Sequence, residues 1–171
     1  MSIFKAYDIR GLYGDEMDET TAEQIGRAFV LTLADIAGKD PGELRIGLGR
    51  DMRLTAPAMA AAYLKGMTGE GAHVIDAGEV ATEMLYFLVG SRELDGGAMC
   101  TASHNPKAYT GVKLVSAGAL PLSGDAGIGD IRKLVEAGMD AAPGGGSSEE
   151  VDLWDEYRAS AEAFIDPAKI K

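Results

Sequence analysis

Short apolar runs alternate along this chain with segments whose apolar residues recur at helical spacing. That alternation narrows the possible folds more than any other property of the sequence. Ile3–Ile9, Arg45–Gly49, Ala72–Asp76, Gly96–Cys100 and Val112–Val115 read as strands. Between them, Ile25, Phe29, Leu33 and Ile36 mark a first helix, and Met59, Ala62, Tyr63 and Met67 a second. Thr82–Val89 is a third helical stretch, and Ile128, Ile131, Leu134 and Val135 mark another. Thr20–Glu23 is a capping-box signature for the first helix and Gly38 its stop, while Thr55 and Pro57 suit the start of the second. Strands alternating with helices predict an α/β domain with a largely parallel sheet.

At 171 residues the chain is long enough for one such domain with a real core. Residues 1–140 hold the alternating pattern. Residues 141–150, with Pro143-Gly144-Gly145-Gly146 and Ser147-Ser148, read as a flexible Gly/Ser-rich linker. Residues 151–171 follow, with Val151, Trp154, Tyr157, Ala161 and Phe164 spacing out a last, buried-looking amphipathic helix. It stops abruptly at Asp166–Lys171, as expected of a module that leads into a second domain.

Hydrophobic residues at 46% and charged residues at 25% fit a folded globular chain. A formal net charge of -11 argues against partners such as nucleic acid or an anionic membrane surface. An acidic chain that handles anions must gather its cations locally, so individual Arg and Lys positions carry information. One cysteine, Cys100, excludes an internal disulfide, reads as a buried filler and fits a reducing cytoplasm. The sequence shows no basic stretch before an apolar core at its start and no apolar run of bilayer length, which points to a cytoplasmic protein.

Thr101-Ala102-Ser103-His104-Asn105-Pro106 follows the Gly96–Cys100 strand. A hydroxyl, an imidazole and an amide thus share one tight loop, and Asn105, preceding a proline, is pushed out of the helical region. By itself the loop reads as a polar turn. In open α/β sheets, however, ligands sit beyond the carboxyl ends of strands. Arg10 ends the first strand, Arg50-Asp51-Met52-Arg53 the second and Ser103-His104 the fourth, with Lys113 on the strand that follows. If these ends converge, a hydroxyl and several cations meet at one rim, which is the makeup of a phosphate site.

Tyr7-Asp8-Ile9-Arg10-Gly11, Gly49-Arg50-Asp51-Met52-Arg53 and Thr101–Pro106, followed by Lys113, resemble in order the signatures of the α-D-phosphohexomutases. This is the phosphoglucomutase and phosphomannomutase family. The resemblance implies a layered helix–sheet–helix domain with a mainly parallel mixed sheet, the first of four domains. It implies an isomerase of carbohydrate metabolism, an intramolecular phosphotransferase that interconverts hexose 1-phosphate and hexose 6-phosphate. The reaction runs through a phosphoserine and a hexose bisphosphate intermediate. By that resemblance Ser103 is the phosphoserine and offers a phosphate oxygen to Mg²⁺. Arg10 and Lys113 match positions of proton-transfer groups. Lysine exchanges protons more readily than arginine, so Lys113 is favoured for that task and Arg10 for charge stabilisation. His104 and Asn105 are expected to orient phosphate or substrate, Tyr7 to support Arg10, and Arg50 to join the substrate-facing cations.

The sequence also departs from the family. Thr110 stands where asparagine is more usual, and Ala81-Thr82-Glu83 replaces a proline-flanked threonine. The family's Asp-Gly-Asp metal loop does not occur. Asp15, Glu16 and Asp18 read as a solvated face and not as a substitute for it. Gly47-Leu48-Gly49 begins like a dinucleotide fingerprint, but Met52 stands at the third glycine. His73 reads as a structural, hydrogen-bonded residue, Arg53 equally as a strand-end cation or a surface residue, and Asp51 as a support for Arg10 or Arg50. The expectation is the N-terminal part of a mutase, inactive alone and working with the remaining domains of the enzyme. The alternative is a stand-alone phosphosugar-binding or regulatory module.

Overall fold

The computed structural model describes residues 3–166, 169 and 170. In chain order the elements are β1 (Ile9–Leu12), α1 (Glu19–Ala37), β2 (Arg45–Arg50), α2 (Ala56–Gly69), β3 (His73–Glu79) and α3 (Thr82–Ser91). Then come β4 (Gly96–Cys100), β5 (Tyr109–Ser116), β6 (Leu120–Pro121), α4 (Ile128–Ala137), β7 (Ser147–Glu150) and α5 (Trp154–Glu162). The strands form one seven-stranded sheet in the order β1-β5-β4-β2-β3-β7, with β6 paired to β5. Pairs β4–β2, β2–β3 and β3–β7 are parallel, whereas β5 runs antiparallel to β1, β4 and β6. The sheet is therefore mixed, with β5 alone running against the other strands.

Strand alternation divides the core between the two faces. Ile9, Ile46, Leu48, Ala98, Cys100, Val112 and Leu114 pack in one cluster with Ile25, Phe29 and Leu33 of α1, Met59 and Tyr63 of α2, and Ile131 of α4. Ile75, Met99 and Val115 form a second cluster with Leu85, Leu88 and Val89 of α3. This is the expected helix–sheet–helix layering. No described helix is long and apolar enough to cross a membrane.

Three sequence expectations change. Residues 3–8 do not extend β1: the backbone turns back, with Lys5 N donating to Asp8 O at 2.9 Å and Arg10 N to Ile3 O at 3.0 Å. Helix α1 begins at Glu19, because Asp18 and not Thr20 is its cap; Asp18 Oδ1 accepts from Thr21 N at 2.8 Å. The Gly/Ser-rich segment at 141–150 is not a free linker. Ser147–Glu150 is an edge strand on β3, reached through backbone bonds from Gly144 N to Gly69 O (2.7 Å) and Gly146 N to Thr68 O (3.1 Å). A Cβ at Gly146 would lie 2.6 Å from Ala72 O, so glycine there serves close approach, not flexibility.

The last helix also differs from its reading. Leu153, just before α5, is fully buried in the second cluster, and Tyr157 packs edge-on to Phe87 with centroids 5.6 Å apart. No residue of α5 itself is buried, and Phe164 is 90% exposed. The predicted lead-in at Asp166–Lys171 lies partly outside the described residues.

Candidate phosphate-handling loop

β1, β2 and β4 run in one direction, so their carboxyl ends share one edge of the sheet, and the Thr101–Pro106 loop leaves β4 at that edge. Thr101 N donates to Gly111 O at 2.9 Å, and Gly111 is the register partner of Arg10. Arg10, Gly111 and Thr101 thus lie in one row across the sheet, putting Arg10 roughly 10 Å from Thr101 by strand spacing. A Cβ at Gly111 would sit 2.8 Å from Arg10 Cβ, so glycine is what lets β1 approach here. Arg10 lies inside β1, not at its end as expected.

Asp8 holds the two catalytic candidates together. Its Oδ2 is 3.0 Å from Arg10 Nη1 and 3.7 Å from Lys113 Nζ. The nearest partner of the Lys113 ammonium is therefore a carboxylate. Lys113, partner of Met99 across β4–β5, lies on the α3 side of the sheet with Arg10.

Ser103 is exposed and adopts a left-handed backbone, with φ 55°. Few non-glycine residues do so, and they require surroundings that hold them there. The holding groups are clear. Ser103 N donates to Thr101 Oγ1 at 2.9 Å, and Thr101 Oγ1 donates to Asp51 Oδ2 at 2.7 Å. Asn105 donates to Ala102 O from its backbone at 3.1 Å and from Nδ2 at 2.8 Å, which closes the turn. His104 is exposed on the same loop.

Arg53, read from sequence either as one of the strand-end cations or as a surface residue, has a side chain only 15% exposed and lies under the loop. Asp51 supports it, with Nε to Oδ2 at 3.1 Å, and supports neither Arg10 nor Arg50 as had been expected. Arg50 instead pairs with Glu79 at 2.8 Å and lines a separate open groove of about 610 Å³ with Asp76, Glu150, Asp152 and Trp154. Its guanidinium is not brought to the loop. Tyr7 is 68% exposed, and the partner of Arg10 is Asp8, not Tyr7. Sequence reasoning quoted Asp8 and Arg53 within motifs but gave neither its own role in the site. The signal for Asp8 was its place in the Tyr7–Gly11 signature, two residues before Arg10.

Other groups fall into supporting roles. Burial, reinforced by the Asp51 carboxylate, pushes the Cys100 thiol up to about 12, so it stays protonated as a filler should. His73 Nδ1 lies 2.8 Å from Ser147 Oγ and ties β3 to β7. Glu16 Oε2 accepts from Leu12 N at 2.9 Å, a local backbone contact. Among the described residues no group of three or more His, Cys, Asp or Glu side chains could hold a metal ion.

Residues 1–141 match the family described as phosphoglucomutase/phosphomannomutase, alpha/beta/alpha domain I. A phosphomannomutase of Salmonella montevideo is 42% identical over 170 residues, covering 96% of this chain and 35% of the relative. A phosphomannomutase of Klebsiella pneumoniae is 43% identical over 136 residues, covering 80% of this chain and 82% of the relative. A crystal structure of a phosphoglucomutase/phosphomannomutase family protein from Burkholderia thailandensis superposes with a TM-score of 0.84 at 33% identity. That match covers 96% of this chain and 36% of the other. The chain thus spans about a third of the length of the Salmonella and Burkholderia proteins.

Proposed function

This chain belongs to the phosphoglucomutase/phosphomannomutase family, and we propose on that basis that it carries the phosphoryl-transferring serine of a hexose-phosphate mutase. The observation behind the proposal is Ser103 itself. It is an exposed hydroxyl on a fixed loop, at the sheet edge it shares with Arg10 and Lys113. In the half-reaction that loads the serine, Ser103 Oγ attacks a phosphorus of a hexose bisphosphate. The bond from that phosphorus to the sugar oxygen breaks, the serine proton leaves, and the sugar oxygen gains one. In the half-reaction before it, the phosphoserine gives its group to the free hydroxyl of a hexose monophosphate; the bisphosphate so formed turns over, and its other phosphate loads the serine, completing the interconversion of 1- and 6-phosphates. Such transfer depends chiefly on positioning and charge neutralisation.

Lys113 is assigned the proton exchange and Arg10 the stabilisation of phosphoryl charge, both oriented by Asp8. His104 is free on the loop to meet phosphate, while Asn105 holds the turn. A Mg²⁺ ion would supply further charge neutralisation. This chain's own contribution to it would be an oxygen of the Ser103 phosphate, since the described residues hold no carboxylate cluster for it. We assign metal ligation and sugar choice to other parts of the natural protein, and full turnover to that protein. The single buried Cys100 fits a cytoplasmic location.

The test is Ser103→Ala in the full-length natural protein. Turnover of hexose phosphate should fall by on the order of 10³-fold or more, and intact mass should show phosphate on the parent serine only. A variant that keeps parent turnover would sink the reading.

A further inference from the structure

We propose that Arg53 is the positioning residue of the Ser103 loop, a clamp whose donors all face inward. The inference rests on the reading of Ser103 as the phosphoryl carrier. A guanidinium has five N–H donors in one plane. Here Nε reaches Asp51 Oδ2 (3.1 Å), Nη1 reaches Pro106 O (3.0 Å) and Tyr109 O (3.3 Å), and Nη2 reaches Ser103 O (2.9 Å) and Asn105 O (2.8 Å). These bonds match the donor count, so no N–H remains for a phosphate or a sugar. Arg53 acts through the loop and not on the ligand.

The contacts close into a circuit around one residue. Ser103 N is held by Thr101 Oγ1, which donates to Asp51, which binds Arg53, which returns to Ser103 O. Ser103 is gripped at both its N–H and its carbonyl, which accounts for its left-handed backbone. That conformation fixes the direction of the Cα–Cβ bond that carries the hydroxyl. Lysine, with three donors on a tetrahedral head, cannot reproduce a planar grip on several carbonyls.

In the full-length enzyme, Arg53→Lys should lower kcat and the rate at which hexose 1,6-bisphosphate loads Ser103, read by intact mass. A displaced reacting group costs on the order of 10²-fold, and KM should stay within about twofold because no substrate contact is lost. Thr101→Val, which removes the hydroxyl link to Asp51 and Ser103, should show the same kcat pattern, and Thr101→Ser should recover most of the activity. Thermal melting reports folding in each case. Parent-like kcat in Arg53→Lys, or a loss confined to KM, overturns the proposal. If Arg53→Lys does not fold, the valine–serine pair decides, and equal kcat values for the two overturn it. Ser103→Ala, run alongside, separates the readings: if it retains turnover, the mutase assignment itself fails, whatever Arg53 does.

Discussion

Carboxylates sort the arginines of this protein into different tasks. Asp8 steadies Arg10 beside Lys113, Asp51 fixes Arg53 under the serine loop, and Glu79 draws Arg50 away towards another groove. Nothing in the local sequence Arg50-Asp51-Met52-Arg53 says which arginine takes which direction, because Glu79 at the end of β3 draws Arg50 and the carbonyls of the loop after β4 draw Arg53. Asp18 is a simpler case, with its partner three residues away. Hydrogen bonds from Thr21 N and Thr21 Oγ1 hold the Asp18 carboxyl below its usual range. Its folded value is thus lower than its unfolded one. The cap's contribution is full above about pH 4 and fades as pH falls through the folded value. Asp18→Ala should cost about 1 kcal/mol at neutral pH. In urea melts the gap from the parent should narrow at pH 3; a gap independent of pH would contradict the charged cap.

At the level of elements, close approach determines which glycines matter. Helices α1 and α2 cross where Gly26 faces Tyr63 and Gly66 faces the Glu23 carbonyl; a Cβ on Gly66 would also sit 3.0 Å from Arg27 N. A methyl there has only backbone to displace, so the helices must part. Gly66→Ala should therefore destabilise by roughly 1–3 kcal/mol despite alanine's better helix propensity. Denaturation at parent stability or above would show that the crossing yields. Most elements were legible in the sequence, because apolar periodicity is local. Gly96–Cys100 as a strand, the four main helices and the Gly38 stop all stand. The failures occurred where backbone bonds that apolar periodicity does not reveal redirect a segment. Residues 3–8 turn back on β1, and Ser147–Glu150 gains strand geometry only by pairing with β3.

Across the whole molecule, residues 144–157 are part of the domain. β7 completes the sheet edge, and Leu153 fills the α3-side core. Cutting the chain after Ala142 should lower stability. Leu153 alone should account for roughly 2–5 kcal/mol as Leu153→Ala. A truncated chain that melts with the parent would restore the linker reading. The same scale explains the division of information. By itself the sequence determined the α/β class, the position of Ser103 after a strand, and a family signature in which Arg10, the serine loop and Lys113 occur in order. Those properties depend on periodicity and residue type, which are written along the chain. Only the tertiary structure decided that Arg53 grips the loop, that Arg50 leaves it, and that Asp8 joins Arg10 to Lys113. Charge pairing and carbonyl capture depend on which strands lie side by side, and strand order is a property of the folded sheet alone.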